Sequence, residues 1–225
     1  MKIWLQEILA CPIDKHYPLE LLILKWETIT EEIEYFWKTY QDKNIQEIEK
    51  EDILKISEEK NDIKVRDNIV LKSTSIVEYL KLILESILEL RNVKDLTDVK
   101  FIEVILSLLQ NIVKEKIEAT LYAIPNEKNI EKLKKNFKDI LPDLYLINKI
   151  KVDAEIKEGL LFCSKCNRWY PIIDTIPQML PDKYRNKKEE LKFLKTWSKE
   201  LDEINFLQKE LAPHKIKAKS NDSKN

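Results

Sequence analysis

Along this chain, short runs that are apolar throughout alternate with longer runs whose apolar residues recur every three or four positions. In "MKIWLQEILA", Ile3, Leu5, Ile8 and Leu9 fall on one side of a short helix, which Pro12 stops just after Cys11. "YPLELLILKWETI" is rich in Leu and Ile and reads as a strand over residues 18–27, with Trp26 near its end. Helical spacing then takes over: "TITEEIEYFWKTY" sets Ile29, Ile33, Phe36 or Trp37, and Tyr40 on one face. Residues 41–67 are acidic and polar and read as a loop holding a short helix, with a hairpin near "DIKVRDNIVLK". "STSIVEYLKLILESILEL" has a Ser/Thr cap region and a stripe through Ile76, Leu80, Ile83, Ile87 and Leu90. "TDVKFIEVILSLLQNIVKEKIEATLYAI" is a second strong helix, with Thr97 as its cap and an apolar stripe broad enough for burial on more than one side. "NEKNIEKLKKNF" reads as a more exposed helix closed by Pro142.

Period-two patterning returns from about residue 150. "VDAEIKEGLLFC" reads as two short strands meeting at a tight turn, Glu158-Gly159. "RWYPIIDTIPQML" is β-branched and aromatic, and its prolines at 171 and 177 imply an edge position. Residues 183–210 form one more amphipathic helix, through Leu191, Leu194, Trp197, Leu201, Ile204 and Leu207. The last fifteen residues, lysine-rich and polar, read as a disordered tail.

Composition narrows the functional classes. Of 225 residues, 44% are hydrophobic, enough for a core, and 35% are charged, but the signs nearly cancel at net −1. That balance gives no electrostatic reason to expect nucleic acid as the main partner. A single glycine rules out a glycine-rich phosphate loop. Two histidines, His16 and His214, form no serine–histidine arrangement, and the carboxylates are evenly spread, so no catalytic constellation stands out. Lys/Glu enrichment fits heat-adapted proteins and A/T-rich genomes equally. No signal-peptide pattern is visible and no apolar run approaches the roughly 20 residues of a membrane span, so a cytoplasmic protein without membrane contact is expected.

The candidate chemistry lies in three cysteines. Cys163 and Cys166 form a Cys-x-x-Cys turn, which can aim two thiolates at one metal ion. Cys11 opens a Cys-Pro-x-Asp turn, so Asp14 stands where a fourth cysteine would complete the set. Asp14 can ligate zinc through oxygen, and His16 is the other candidate, needing a wider loop. Asn167, directly after the second pair, suits the left-handed backbone that such turns need. Three readings stay open: zinc held by Cys11, Cys163, Cys166 and Asp14 or His16; a ribbon that keeps its fold without metal; and a redox pair. The last is disfavoured because the flanks read as strands, whereas a redox pair sits at a helix N-terminus.

"ILACPIDKHYPLEL" and "EGLLFCSKCNRWYPIIDTIPQMLP" resemble the two halves of the tRNA methyltransferase 112 homolog family, small zinc-ribbon-like activators of class I methyltransferases, and the chain has the helical insert of archaeal and eukaryotic members. Glu158, Gly159, Leu161, Cys163, Cys166, Arg168, Tyr170, Pro171, Ile172, Ile176, Pro177, Met179 and Leu180 follow the family pattern in order. Asp14 replaces a family cysteine, and Asn167 and Thr175 each replace a glycine.

The resemblance implies an α+β fold. A zinc-ribbon-like sheet formed by both chain ends (1–28 and 150–182) carries a large α-helical insert (29–149), a C-terminal helix (183–212) and a disordered basic tail (213–225). It implies a non-catalytic subunit that forms heterodimers with several alternative methyltransferases. S-adenosylmethionine binds only through the partner, and tRNA or rRNA is met indirectly. Arg168, Ile172, Ile173, Thr175, Ile176, Pro177, Met179 and Leu180 are the expected contacts, through edge-strand addition and apolar packing. A stand-alone RNA-binding zinc ribbon is the alternative, with Lys165, Arg168 and Trp169 as its surface.

Overall fold

The computed structural model describes residues 1–59, 62–124 and 130–216. A 3-10 helix, Ile3–Ile8, leads through the Cys11 turn into strand β1, Glu20–Trp26. Helices α1 (Thr30–Gln41) and α2 (Ile45–Lys50) follow, then β2 (Lys55–Glu59), β3 (Asp62–Arg66) and β4 (Thr74–Ser75). Next come α3 (Ile76–Glu89), β5 (Val93–Asp95), α4 (Lys100–Leu108), a π turn (Leu109–Val113), α5 (Lys114–Ala123) and α6 (Ile130–Asn148), closed by a π turn at Lys149–Asp153. Strands β6 (Ile156–Cys163), β7 (Arg168–Ile173) and β8 (Ile176–Pro177) complete the sheet, and α7 (Lys187–Thr196) and α8 (Ser198–Glu203) cover it. Among the described residues no helix is long and apolar enough to cross a membrane.

The main sheet has the order β5-β1-β6-β7-β8, so both chain ends do build it. β1 runs antiparallel to β6, and β6 to β7. Period-two alternation sorts the side chains onto two faces. Leu21, Ile23, Leu161, Cys163, Tyr170 and Ile172 enter the main core with α3, α4 and α6. Leu22, Leu24, Leu160, Phe162 and Trp169 form the opposite face. Both faces are buried, which is why these strands read as continuous apolar runs. A register irregularity after Ile23 turns Trp26 onto the main-core side.

Several elements differ from the sequence reading. The insert is not wholly helical. The hairpin read near "DIKVRDNIVLK" is present as β3 and β4 of a separate three-stranded sheet, β2-β3-β4, and the insert also lends β5 to the main sheet, parallel to β1, with Leu21 opposite Val93. Three residues of "VKD" carry no alternation to announce a strand; the open backbone edge of β1 recruits them. Glu158-Gly159 is not a turn but the middle of β6. A Cβ at Gly159 would stand 2.7 Å from Leu22 O, so the residue type is set by close approach of two strands. Pro142 does not close α6, which runs on to Asn148 because Leu144, Leu146 and Ile147 are buried there. Asp67 ties this region together. Its Oδ1 accepts from the Ile69 and Val70 amides, and its Oδ2 from Tyr79 Oη (2.7 Å) and Asn148 Nδ2 (2.8 Å).

The expected single C-terminal helix breaks at Trp197 (φ −102°, ψ 21°) into α7 and α8, and Asn205, at φ 55°, leads into a final 3-10 turn. The breaks let Phe193, Leu194, Leu201, Phe206, Leu207 and Leu211 all reach the second sheet face. Phe162 meets Phe206 edge-on at 5.2 Å and Trp169 stacks on Phe193 at 6.1 Å. Arg185, buried over Trp169 and Tyr170, pairs with Glu190 at 2.6 Å and donates to Trp169 O. Of the expected tail, residues 213–216 are placed: Trp169 Nε1 donates to His214 O, and His214 Nδ1 lies 2.7 Å from Glu190. Residues 217–225 of that tail lie outside the described residues. Six large apolar side chains at about 2 kcal/mol each give on the order of 10 kcal/mol of gross burial, so this cover is an integral layer of the fold.

Candidate metal centre and docking edge

Two turns of the same design bring the cysteines together. In the first, Cys11 N donates to His16 O, Lys15 N donates to Cys11 O, and Lys15 takes the left-handed conformation at φ 59°. In the second, between β6 and β7, Asn167 does the same at φ 56°. Each turn therefore offers a side chain at its first and fourth positions, followed by a left-handed residue. Asp14 occupies in one the place that Cys166 occupies in the other.

The ligand atoms of Cys11, Asp14, Cys163 and Cys166 all lie within 4.8 Å of one another. Cys11 Sγ and Cys166 Sγ are 3.7 Å apart, and Cys163 Sγ is 3.6 Å from Asp14 Oδ1. A zinc–sulfur bond of about 2.3 Å gives a tetrahedral S–S edge of about 3.8 Å, so the spacing fits a tetrahedral ion. These four side chains could hold a metal ion, and the donor set is compatible with zinc.

His16 stands outside that group. Its Nε2 is 3.4 Å from Ser164 Oγ, and its contribution to the turn is its backbone, whose N–H donates to Asp14 Oδ1 at 3.0 Å. That bond is the main cause holding the Asp14 carboxyl down at about 2, so it is ready as an anionic donor. Burial pushes the Cys163 thiol up to about 12. The pair lies between β6 and β7 and not at a helix N-terminus, against the redox reading. Tyr170 was in the sequence pattern without a role; its Oη lies 3.2 Å from Cys11 Sγ, where it can support the sulfur from behind.

The expected docking residues divide. Ile172 is fully buried in the main core, on the opposite side of the strand from Ile173, since only alternate residues of a strand share a face. Ile173 packs partly on the second core and Met179 partly on the first. Thr175 (φ 68°) and Asp174 (φ 45°) make the two-residue turn between β7 and β8, and Pro177 pairs with Ile172. Ile176 and Leu180 are the outward ones, 60% and 41% exposed. Arg168 is held by Asp182 through two nitrogens (3.1 and 2.8 Å), and Trp169 is fully buried, so two of the three side chains suggested for RNA contact are engaged within the fold. The edge of β7 is likewise closed by the chain itself, with Gln178 N donating to Pro171 O and Ala212 N to Asn167 O. The outer side of β8 is the end of the sheet.

Comparison with protein families matches residues 4–174 to the family described as Trm112p-like protein. No curated protein and no solved structure matches the chain.

Proposed function

Because this chain belongs to the Trm112p-like family, whose members serve methyltransferases as activating subunits, we propose that it is a non-catalytic activator and stabilising partner of S-adenosylmethionine-dependent class I methyltransferases acting on tRNA, rRNA or translation factors. The family match over three quarters of the chain carries the reading. In it, the methyl donor and the RNA bind the partner, and this chain covers apolar surface that would otherwise aggregate. The docking path is β8 and the residues after it, with Ile176 and Leu180 as apolar contacts at the outer end of the sheet, where Pro177 has no N–H and its carbonyl already accepts from Met179 N. Burial of roughly 1,500 Å² is ordinary for such a pair. Cys11, Asp14, Cys163 and Cys166 hold a zinc ion that pins the two chain ends together; its role is structural.

Co-expression with a class I tRNA methyltransferase from the same genome tests this. A soluble one-to-one complex is expected, with methyl transfer lost when the activator is withheld. The double variant Ile176→Asp, Leu180→Asp should keep its melting temperature and lose co-purification. A methyltransferase as soluble and active alone as in company refutes the proposal.

A further inference from the structure

Helix α7 lies beyond the residues matched to the family, so its surface is a feature of this chain. Residues 183–199 carry six lysines and one arginine against two glutamates, in a chain whose net charge is −1. One of those glutamates, Glu190, is buried and paired with Arg185. At about 100° per residue, Glu190, Phe193 and Leu194 fall on the side of α7 that packs on the sheet, and Lys188, Lys192 and Lys195 fall within about 35° of the opposite ridge. All three lysines are exposed, and they rise along about 10 Å of helix axis. The helix is held in place beneath them: Phe193 stacks on Trp169, and the Asn186 side chain accepts from the Lys188 and Glu189 amides.

A face that is merely solvated has a different pattern in this chain. Lys50 pairs with Glu47 on α2, Lys114 with Glu118 on α5, and Lys149 with Asp153 in the turn that closes α6. On α7 the residue four after Lys188 is Lys192, and the residue four after Lys195 is Lys199, so like charges stand at a spacing that weakens a helix. No carboxylate among the described residues pairs with the ridge lysines. With its apolar side packed on the sheet, α7 has no aromatic or leucine face to sink among lipid headgroups. A nucleic-acid duplex presents about one negative charge per 1.7 Å of axis, so the ridge spans several phosphates. We propose that α7 is a phosphate-backbone contact for RNA, made through Lys188, Lys192 and Lys195 and independent of base sequence. The choice of RNA as the polyanion rests on the function proposed above. In the complex, α7 holds the RNA that the partner methylates and takes no part in methyl transfer.

The test uses the full chain with no methyltransferase present, so its outcome is separate from that of the co-expression. A fluorescein-labelled tRNA transcript is titrated by fluorescence anisotropy between about 50 and 200 mM KCl. The unaltered chain should bind saturably. Each phosphate contact adds about 0.7–0.9 to the slope of log K against log salt, so the triple variant Lys188→Gln, Lys192→Gln, Lys195→Gln should make the slope shallower by about 2–3 and weaken binding about tenfold or more. The triple variant Lys72→Gln, Lys81→Gln, Lys94→Gln removes the same charge from exposed positions on the insert and should stay within about threefold of the unaltered chain. Absence of saturable tRNA binding overturns the proposal. Equal losses in the two triple variants overturn it as well, because net charge would then be the only cause. Phosphatidylserine vesicles that bind through the three α7 lysines, with no such dependence for tRNA, overturn it in favour of a membrane surface. Should the α7 triple variant not fold, Lys192→Gln and Lys195→Gln decide singly, each expected to lower the slope by about 0.7–0.9.

Discussion

Gly159→Ala probes the contact on which the main sheet is assembled. In place of hydrogen, the new methyl would lie 2.7 Å from Leu22 O, 3.3 Å from Ile172 Cδ1 and 3.5 Å from Ile156 Cγ2. The last two contacts are tolerable, because side chains can shift by a few tenths of an ångström. The first is with backbone oxygen, and no rotamer relieves it: β1 must move away from β6 by about 0.6 Å, stretching the ladder between them. Overpacking of this kind costs about 1–3 kcal/mol. Alanine recovers about 0.4–1 kcal/mol by restricting the unfolded chain. The net loss is about 1.3 kcal/mol, and at about 2–4 °C per kcal/mol for a protein of this size the melting temperature should fall by about 3–5 °C. Thermal unfolding followed by far-UV circular dichroism and tryptophan fluorescence reads it directly. An unchanged or raised melting temperature would show that the glycine is there for another reason, and the close-approach argument would be wrong.

Thr175→Gly should act in the opposite direction. A β-branched residue at φ 68° is strained by about 1–2 kcal/mol, and part of that is offset by the greater freedom of glycine in the unfolded chain, leaving a gain of about 0.5–1 kcal/mol visible as a higher urea midpoint. Asp95, buried at 6% exposure beside Trp26 Nε1, has its carboxyl pushed up to about 6, mainly by burial. The folded state therefore holds its proton more tightly than the unfolded chain does. This contribution is fully present below about pH 4 and is lost as pH rises to about 6, removing roughly 3 kcal/mol. Asp95→Asn should flatten stability over that window in urea titrations; an unaltered profile would refute the assignment. For the metal site, purified protein should carry one zinc per chain by mass spectrometry. Asp14→Ala should weaken zinc at least tenfold against a competing chelator and Asp14→Cys should tighten it, whereas equal affinities would remove Asp14 from the ligand set.

What could be read from sequence was what local spacing encodes. The Cys163 turn, its left-handed Asn167 and the Cys11–Asp14 turn are each defined within six residues, and all three were legible. Lys15, which is left-handed too, was not, because lysine advertises no backbone preference. The helical stripes of α3 and α4 were plain, whereas β5 was hidden: three residues acquire strand geometry from β1, a partner about 70 residues away. Gly159 was misread because glycine marks both turns and close strand contacts, and only the neighbouring strand distinguishes them. Pro142 and Trp197 show burial overriding local signals in opposite senses, one helix continuing through a breaker and another broken so that its aromatics reach the sheet. Among the docking residues, Ile172 was grouped with Ile176 by hydrophobicity, although strand alternation separates them.

The order of strands in the main sheet bears on how the chain is made. β1 leaves the ribosome before its antiparallel neighbour β6, which begins about 130 residues later, at about 5–20 residues per second a wait of roughly 6–26 s. Through that interval "LLIL" has no strand to pair with except β5, which arrives with the helices of the insert. The insert thus serves the nascent chain as a scaffold that shelters the first strand until the last ones are synthesised. Removing β5 or the helices that carry it would leave that segment exposed during translation and would also strip the main-core cover from β1 in the finished protein.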